Sequence, residues 1–440
     1  MITLQERVHG QPKPIGWQTD KLHRVFRVRS SIKNTGMKED NLLSLSYGRI
    51  IQKDIQTADG LLPENFEGYQ IVESGNIVLR LTDLQNDKRS LRQGLVTQRG
   101  IITSAYDAVE VQRDNDARFW FYSLLALDLA KHYYSLGGGV RQSVKFADFP
   151  NDWIYRPDLS TQREIADFLD RETARIDLLI EKKQKLVALL GEKFETETTR
   201  LMTRGVRGDV TEFAKSIYHW APDVPSHWTQ TPLRQLLRLA SGSVGEKSGD
   251  YVLLSLTKKG VIPRDVESGK GKFPSDFSAY QVVKPNQLVL CLFDIDETPR
   301  TVGLSNEHGM VTGAYTVADI NADRVDHDFI YFHLLYIDNG KRLRPFYTGL
   351  RKVVRPQTFL NIRIPLPPMD EQKQIVQELQ HWERRAKSIS EKTNASIDRL
   401  KEYRSALITA AVTGQIDVTT YAKSGTTDRR LDAIQEEMGA

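Results

Sequence analysis

Apolar residues along the chain follow two patterns, and each pattern occurs twice. Short apolar runs bounded by turn residues, such as Leu42 to Leu45, Ile77 to Leu81 and Leu288 to Phe293, predict buried strands. They lie in two blocks that also carry predicted helices over Phe119 to His132 and Phe329 to Ile337, with loops at Leu136-Gly137-Gly138-Gly139 and Val261-Ile262-Pro263. Each block therefore reads as mixed α/β with substantial strand content. After each block the period changes. Ile165, Leu169, Ile176, Leu179, Leu186, Leu190, Phe194 and Leu201 fall three, four or seven apart, and Ile375, Leu379, Trp382, Ala386, Ile389, Ile397, Leu400 and Leu407 follow nearly the same spacing. A stripe this narrow predicts a long helix with one packing seam. Ser160 and Asp370 stand where N-caps are expected, Glu164 and Glu371 place negative charge in the first turns, and Gly205 and Gly414 mark the ends. Roughly 45 helical residues rise about 65 Å, more than a domain's width, so each stripe needs a partner along its length. The other helix is the nearest one, which predicts a parallel or antiparallel coiled-coil pair.

The two halves are copies. Trp17 returns as Trp228, Leu43-Ser44-Leu45 as Leu254-Ser255-Leu256, and Tyr69-Gln70-Ile71-Val72 as Tyr280-Gln281-Val282-Val283. Further on, Gly100-Ile101-Ile102-Thr103 returns as Gly309-Met310-Val311-Thr312, Gly139-Val140-Arg141 as Gly349-Leu350-Arg351, Phe149 as Phe359, and Thr161-Gln162 as Glu371-Gln372. The offset stays near 210 residues throughout, so one unit was duplicated with its element order intact.

Composition narrows the chemistry. The 440 residues are 40% hydrophobic and 27% charged, an ordinary globular mixture. Cys291 is the one cysteine and cannot form an intrachain disulfide or hold a zinc or iron–sulfur site alone. The N-terminal residues lack the apolar core of a signal peptide and no long uncharged apolar window occurs, so a reducing, cytoplasmic location is expected. The net charge of +4 is unevenly placed. Residues 1–150 carry a surplus of about +3 and residues 226–368 about +4, whereas the two helical stretches balance to about zero.

Several chemistries are excluded. There is no Asn-Pro-Pro-Tyr methyltransferase tetrad and no phosphate loop, since Gly269-Lys270-Gly271-Lys272 lacks the upstream glycine. Gly242-Ser243-Val244-Gly245 is not a hydrolase elbow, and the nine histidines show no metal-ligand pairing. A nuclease would need clustered carboxylates around a divalent ion. Asp294, Asp296 and Glu297 form the tightest such group, with Asp83 at the place of Asp294 in the first copy.

This arrangement resembles the specificity subunit of type I restriction–modification enzymes over essentially the whole chain. The resemblance is carried by Gly349-Leu350-Arg351, then Ile364-Pro365-Leu366-Pro367-Pro368 with Glu371-Gln372, Ile375 and Leu379, and finally Leu407-Ile408-Thr409-Ala410-Ala411-Val412-Thr413-Gly414. The first copy departs from it at Arg156-Pro157-Asp158, at Thr161 and at Leu201-Met202-Thr203-Arg204-Gly205.

The resemblance implies an α+β chain with two mixed α/β target-recognition domains, over 1–158 and 216–368. Spacer helices over 159–215 and 369–418 would pair as a coiled coil, followed by a tail over 419–440. It also implies a non-catalytic protein that holds no cofactor or metal and reads one half of a bipartite, asymmetric double-stranded DNA sequence with each domain. The helices would fix the spacing and carry two modification subunits, which bring S-adenosylmethionine. Restriction subunits that use ATP and Mg would join them.

DNA-contact candidates follow from position in both copies: Ser46, Tyr47 and Arg49 against Thr257, Lys258 and Lys259, and Arg141 and Gln142 against Arg351 and Lys352. Lys33 ends a basic run suited to phosphate steering. Ile165, Leu169, Ile176, Ile375, Leu379 and Trp382 are the candidate partner-binding positions on the helices. Two rival readings are a helical scaffold pairing two proteins without DNA and a standalone Mg-dependent nuclease built on Asp294, Asp296 and Glu297.

Overall fold

The computed structural model describes residues 2–29, 32–56, 63, 65–84, 91–136, 143–208, 210–218, 222–264 and 276–436. Among them are nine α-helices: α1 (Leu4–His9), α2 (Leu22–Val25), α3 (Ala117–Leu129), α4 (Leu159–Arg204), α5 (His327–Asn339), α6 (Pro356–Asn361), α7 (Met369–Val412), α8 (Val418–Lys423) and α9 (Thr426–Glu436). The chain divides into two compact units, 1–185 with 392–440, and 186–391. Each long helix thus begins in one unit and ends in the other.

In unit 1 an antiparallel sheet runs Phe26–Val28, Asp107–Val111, Ile77–Leu79, Gln93–Leu95 in space. Unit 2 repeats that order with Leu237–Leu239, Thr316–Ile320, Leu288–Leu290 and Val302–Leu304. The strands are only three to five residues long because each apolar run is cut by a turn. On the unit 1 sheet lies α3, whose Phe119, Trp120, Leu124 and Leu125 share one core with Ile77 and Leu79, with Ile165, Leu169 and Ile176 of α4, and with Leu400, Leu407 and Ile408 of α7. In unit 2, Phe329 and Ile330 of α5 join Leu288 and Leu290 with Leu201 of α4 and Ile375 and Leu379 of α7. The tail is helical. From it Leu431 and Ile434 enter the unit 1 core, each contributing about 1.5–3 kcal/mol relative to exposure.

A buried glutamine ties each sheet domain to its long helix. Gln162 Oε1 accepts the Asp116 amide at 2.9 Å and its Nε2 donates to the Pro157 carbonyl at 2.8 Å. Gln372 repeats both bonds, to the Asp326 amide and the Pro367 carbonyl, at 2.9 Å each. Since Asp116 and Asp326 are the side-chain N-caps of α3 and α5, the clamp joins the starts of two helices in each unit.

The helix ends match expectation at Gly205 and Gly414, both at φ 69°. The starts do not. Ser160 and Asp370 lie inside the first turns, because α4 and α7 begin at Leu159 and Met369. Asp158 caps α4 instead, its Oδ1 accepting the Thr161 amide at 3.0 Å, and that bond holds its carboxyl below the usual range. Pro368 offers no side-chain acceptor before α7, and its carbonyl takes the Glu371 and Gln372 amides at 3.0 Å each. Leu186 also departs from the expected seam, being 40% exposed.

Candidate nucleic-acid interface

In unit 1 the strands Leu43–Ser46 and Arg49–Gln52 pair with Ser46 opposite Arg49, so Tyr47 and Gly48 form the connection. Both have positive φ, 46° and 79°, the requirement of a two-residue type I′ turn. A side chain at Gly48 would also meet Leu91 Cδ1 at 2.8 Å. The turn holds Tyr47 out at 78% exposure. Arg49 points to the long helix, donating from Nη2 to Asp177 Oδ2 at 3.1 Å, while Asp177 Oδ1 pairs with Arg404 Nε of α7 at 2.9 Å.

The unit 2 hairpin, Leu254–Thr257 with Gly260–Pro263, leaves Lys258 and Lys259 as its exposed connection. Here the positive φ sits on Gly260, at 101°. By ladder position Arg49 therefore corresponds to Gly260 and Gly48 to Lys259, so the copies place their basic side chains differently on one frame. Lys258 and Lys259 line a groove with Glu195 of α4 and Lys387 and Glu391 of α7. Gly48 and Arg49 line the matching groove of unit 1 with Asp177, Glu181 and Arg404.

A second loop of unit 2 is closed by Thr348 and Val353, which exchange backbone bonds at 2.9 and 3.0 Å. At its tip Leu350 is fully exposed, beside Gly349 at φ 70°. Arg351 Nε donates to Asp294 Oδ1 at 3.2 Å, and the guanidinium stands 5.2 Å from the centre of the Phe293 ring. Lys352 reaches Asp296 at 3.3 Å and Glu297 at 2.5 Å, and Arg344 Nε meets Asp296 at 3.2 Å. Hydrogen bonds from Arg351 and Lys352 lower the pKa values of Asp294 and Glu297. The three carboxylates thus brace a basic loop, each already matched by a cation. Among the described residues no group of three His, Cys, Asp or Glu side chains could hold a metal ion. The Arg351 side chain remains 68% exposed, so it can exchange its carboxylate for a phosphate or a base edge.

Lys33 is exposed and bridges Gln70, whose Nε2 donates to the Thr103 and Tyr106 carbonyls at 3.1 and 2.6 Å. Arg141 and Gln142 lie outside the described residues. Of the helix positions, Ile165, Leu169, Ile176, Ile375 and Leu379 are at most 3% exposed and face their own unit's core, which leaves them no free surface for a partner. Trp382 is half-buried, with Lys193 Nζ 5.2 Å from its ring centre. Sequence reasoning named Leu350 only as part of a repeat. A signal existed in its place between a glycine and an arginine, but nothing in the pattern gave its exposure. No helix among the described residues is long and apolar enough to cross a membrane.

Residues 302–399 match the family described as Type I restriction modification DNA specificity domain. The Type I restriction enzyme MjaVIII specificity subunit of Methanocaldococcus jannaschii is 23% identical, over 94% of this chain and 96% of its own length. The family's specificity domain thus falls in the second half of the chain, and the chain as a whole is similar to a type I specificity subunit. A chain solved in work on complex assembly and conformational transition of the type I R-M system covers 92% of this one and matches over 100% of its own length, with TM-score 0.60 and 16% identity, a shared fold. The HsdS subunit of Thermoanaerobacter tengcongensis covers 94%, over 100% of its own length, at 16% identity and TM-score 0.47.

Proposed function

We propose that this chain is a type I specificity subunit, a non-catalytic protein that reads a bipartite, asymmetric double-stranded DNA target, one half-site per recognition domain (1–158 and 216–368). The spacer helices, α4 and α7 within the segments 159–215 and 369–418, pair as a coiled coil and set the distance between half-sites. What supports the reading is the duplicated glutamine clamp, which attaches each sheet domain to the start of a long helix by the same two bonds. One domain making a few base-edge contacts of about 1–3 kcal/mol each does not separate a site from a genome. Two domains on a stiff linker do, because the second contact becomes intramolecular.

Lys33, Ser46, Tyr47 and Arg49 serve the first half-site, and Thr257, Lys258, Lys259, Arg351 and Lys352 the second. The helices recruit two modification subunits, which supply S-adenosylmethionine and methylate adenine, and restriction subunits using ATP and Mg complete a cytoplasmic complex. The test is a gel-shift series on randomised bipartite duplexes, with and without a modification subunit. One preferred spacer length is expected, with affinity falling steeply as salt rises. Indifference to spacing refutes the reading, and a salt-insensitive complex favours a protein scaffold instead.

A further inference from the structure

The loop that carries Leu350 is held more firmly than an ordinary surface connection. Besides the two backbone bonds between Thr348 and Val353 that close it, the Thr348 hydroxyl donates to the Val353 carbonyl at 2.9 Å. The Lys352 amide donates to the Gly349 carbonyl at 3.2 Å and turns the chain at the tip. Beneath, the Asp294 amide donates to the Arg351 carbonyl at 2.8 Å and the Val354 amide to the Leu292 carbonyl at 2.9 Å. On the two sides of that joint Lys352 and Asp294 both stand at φ 46°, a conformation that costs a non-glycine residue energy and persists only where its surroundings impose it. The Arg351 guanidinium lies over Phe293, whose ring stacks in turn on Tyr315 with centres 6.2 Å apart.

All of this holds one aliphatic side chain out in water. A lone exposed leucine is ordinary on a protein surface, but one raised on a strained and cross-braced support is not explained by folding. Arg351 and Lys352 follow it directly, so the tip is apolar and its shoulder cationic. The first copy keeps the plan: Gly139-Val140-Arg141 has an aliphatic residue between glycine and arginine, and Asp83, at the place of Asp294, is also at positive φ, 57°. The unit 2 hairpin, by contrast, presents Lys258 and Lys259, charge without an apolar tip.

On a duplex, the apolar surfaces within reach of phosphate-binding side chains are the thymine methyl groups and the faces between stacked base pairs. Touching a methyl group puts no load on a loop. Parting a base step presses the tip against the stacking energy, and a brace is what carries that load. We infer that Leu350 enters between two adjacent base pairs of the second half-site and parts their stacking, while Arg351 and Lys352 leave Asp294, Asp296 and Glu297 for the flanking phosphates. The inference rests on the reading that this chain binds duplex DNA. It adds selectivity of another kind, for a step that unstacks readily, pyrimidine–purine above all, without a hydrogen bond to a base edge.

The probe is a duplex enriched from a randomised bipartite pool by the full chain, then titrated with the chain alone so that no methyltransferase displaces a base. One series carries a single abasic gap moved along the second half-site, and another replaces thymine by uracil. A gap at one step should tighten binding about threefold or more, because stacking there is already lost. Leu350→Ala should weaken binding to the intact duplex about tenfold, leave the salt dependence unchanged and abolish the gain at the gap. Leu350→Phe should keep the gain. Leu350 is fully exposed, so these replacements should not disturb the fold. Absence of any gap that tightens binding, or a gain that survives in Leu350→Ala, overturns the inference. So does a loss on uracil replacement as large as that of Leu350→Ala, which assigns the leucine to a thymine methyl group. A pool from which no duplex is enriched refutes the DNA reading itself, and does so before any gap is introduced.

Discussion

Replacing Gln372 by Leu tests the clamp that attaches the second recognition domain to its helix. The side chain is 1% exposed, so its loss strands the Asp326 amide and the Pro367 carbonyl where water does not reach. Each unpaired buried group costs about 1–3 kcal/mol, and partial relaxation brings the expected loss to about 2–4 kcal/mol. The Asp326 carboxylate still caps α5 through the Asp328 and Phe329 amides at 3.0 and 3.1 Å, so the helix itself should survive. Urea unfolding measures the loss. Hydrogen exchange, resolved by peptide mass, should localise it to the segments around Asp326 and Pro367 while the unit 1 core keeps its protection. Gln162→Leu should do the same to unit 1, and the double variant should be additive within about 0.5 kcal/mol because the sites share no partner. A loss below about 0.5 kcal/mol, or exchange raised equally in both units, would refute the argument that this glutamine is the joint.

Burial pushes the Asp128 carboxyl up to about 6, so its folded-state value lies above the unfolded one and unit 1 loses stability as pH rises from about 4 to about 6. Asp128→Asn should flatten that slope in thermal melts followed across the range, and an unchanged slope counts against it. His333 is buried and pushed down to about 3, so its contribution to unit 2 is complete above about pH 6.5 and lost as pH falls toward 3; His333→Leu should remove that acid sensitivity. Gly205→Ala should cost about 1–3 kcal/mol in urea unfolding, since φ is 69° and the new Cβ would meet the Trp228 ring at 3.0 Å. Leu350→Asp should leave the melting temperature within error while weakening DNA retention in gel shifts, and unaltered DNA binding would remove Leu350 from the interface.

The repeat and the long helices were legible because they are written in local spacing: stripes at three and four residues, glycines at two helix ends, and motifs at one offset. The N-caps were misplaced by two residues because Asp158 and Pro368 solve the same capping problem in unlike ways. Exposure of Leu186 was invisible because its place in the stripe equals that of residues that are buried. The electrostatic partners were hidden by distance along the chain, Arg351 with Asp294 and Arg49 with Asp177, which no periodicity connects. The tail gave no strong stripe, since its helices reach the core through a few scattered residues, Val418 and Tyr421 of α8 and Leu431 and Ile434 of α9.

The division of the chain bears on biosynthesis. Unit 2 occupies one uninterrupted stretch, whereas unit 1 needs residues 392–440 to close over Ile165, Leu169 and Ile176. On the ribosome the second half can therefore mature before the first, which waits with a sticky apolar strip until the last helices emerge. Premature termination before Leu400 would leave a folded unit 2 attached to an unfinished, aggregation-prone unit 1, giving quality control a clear target.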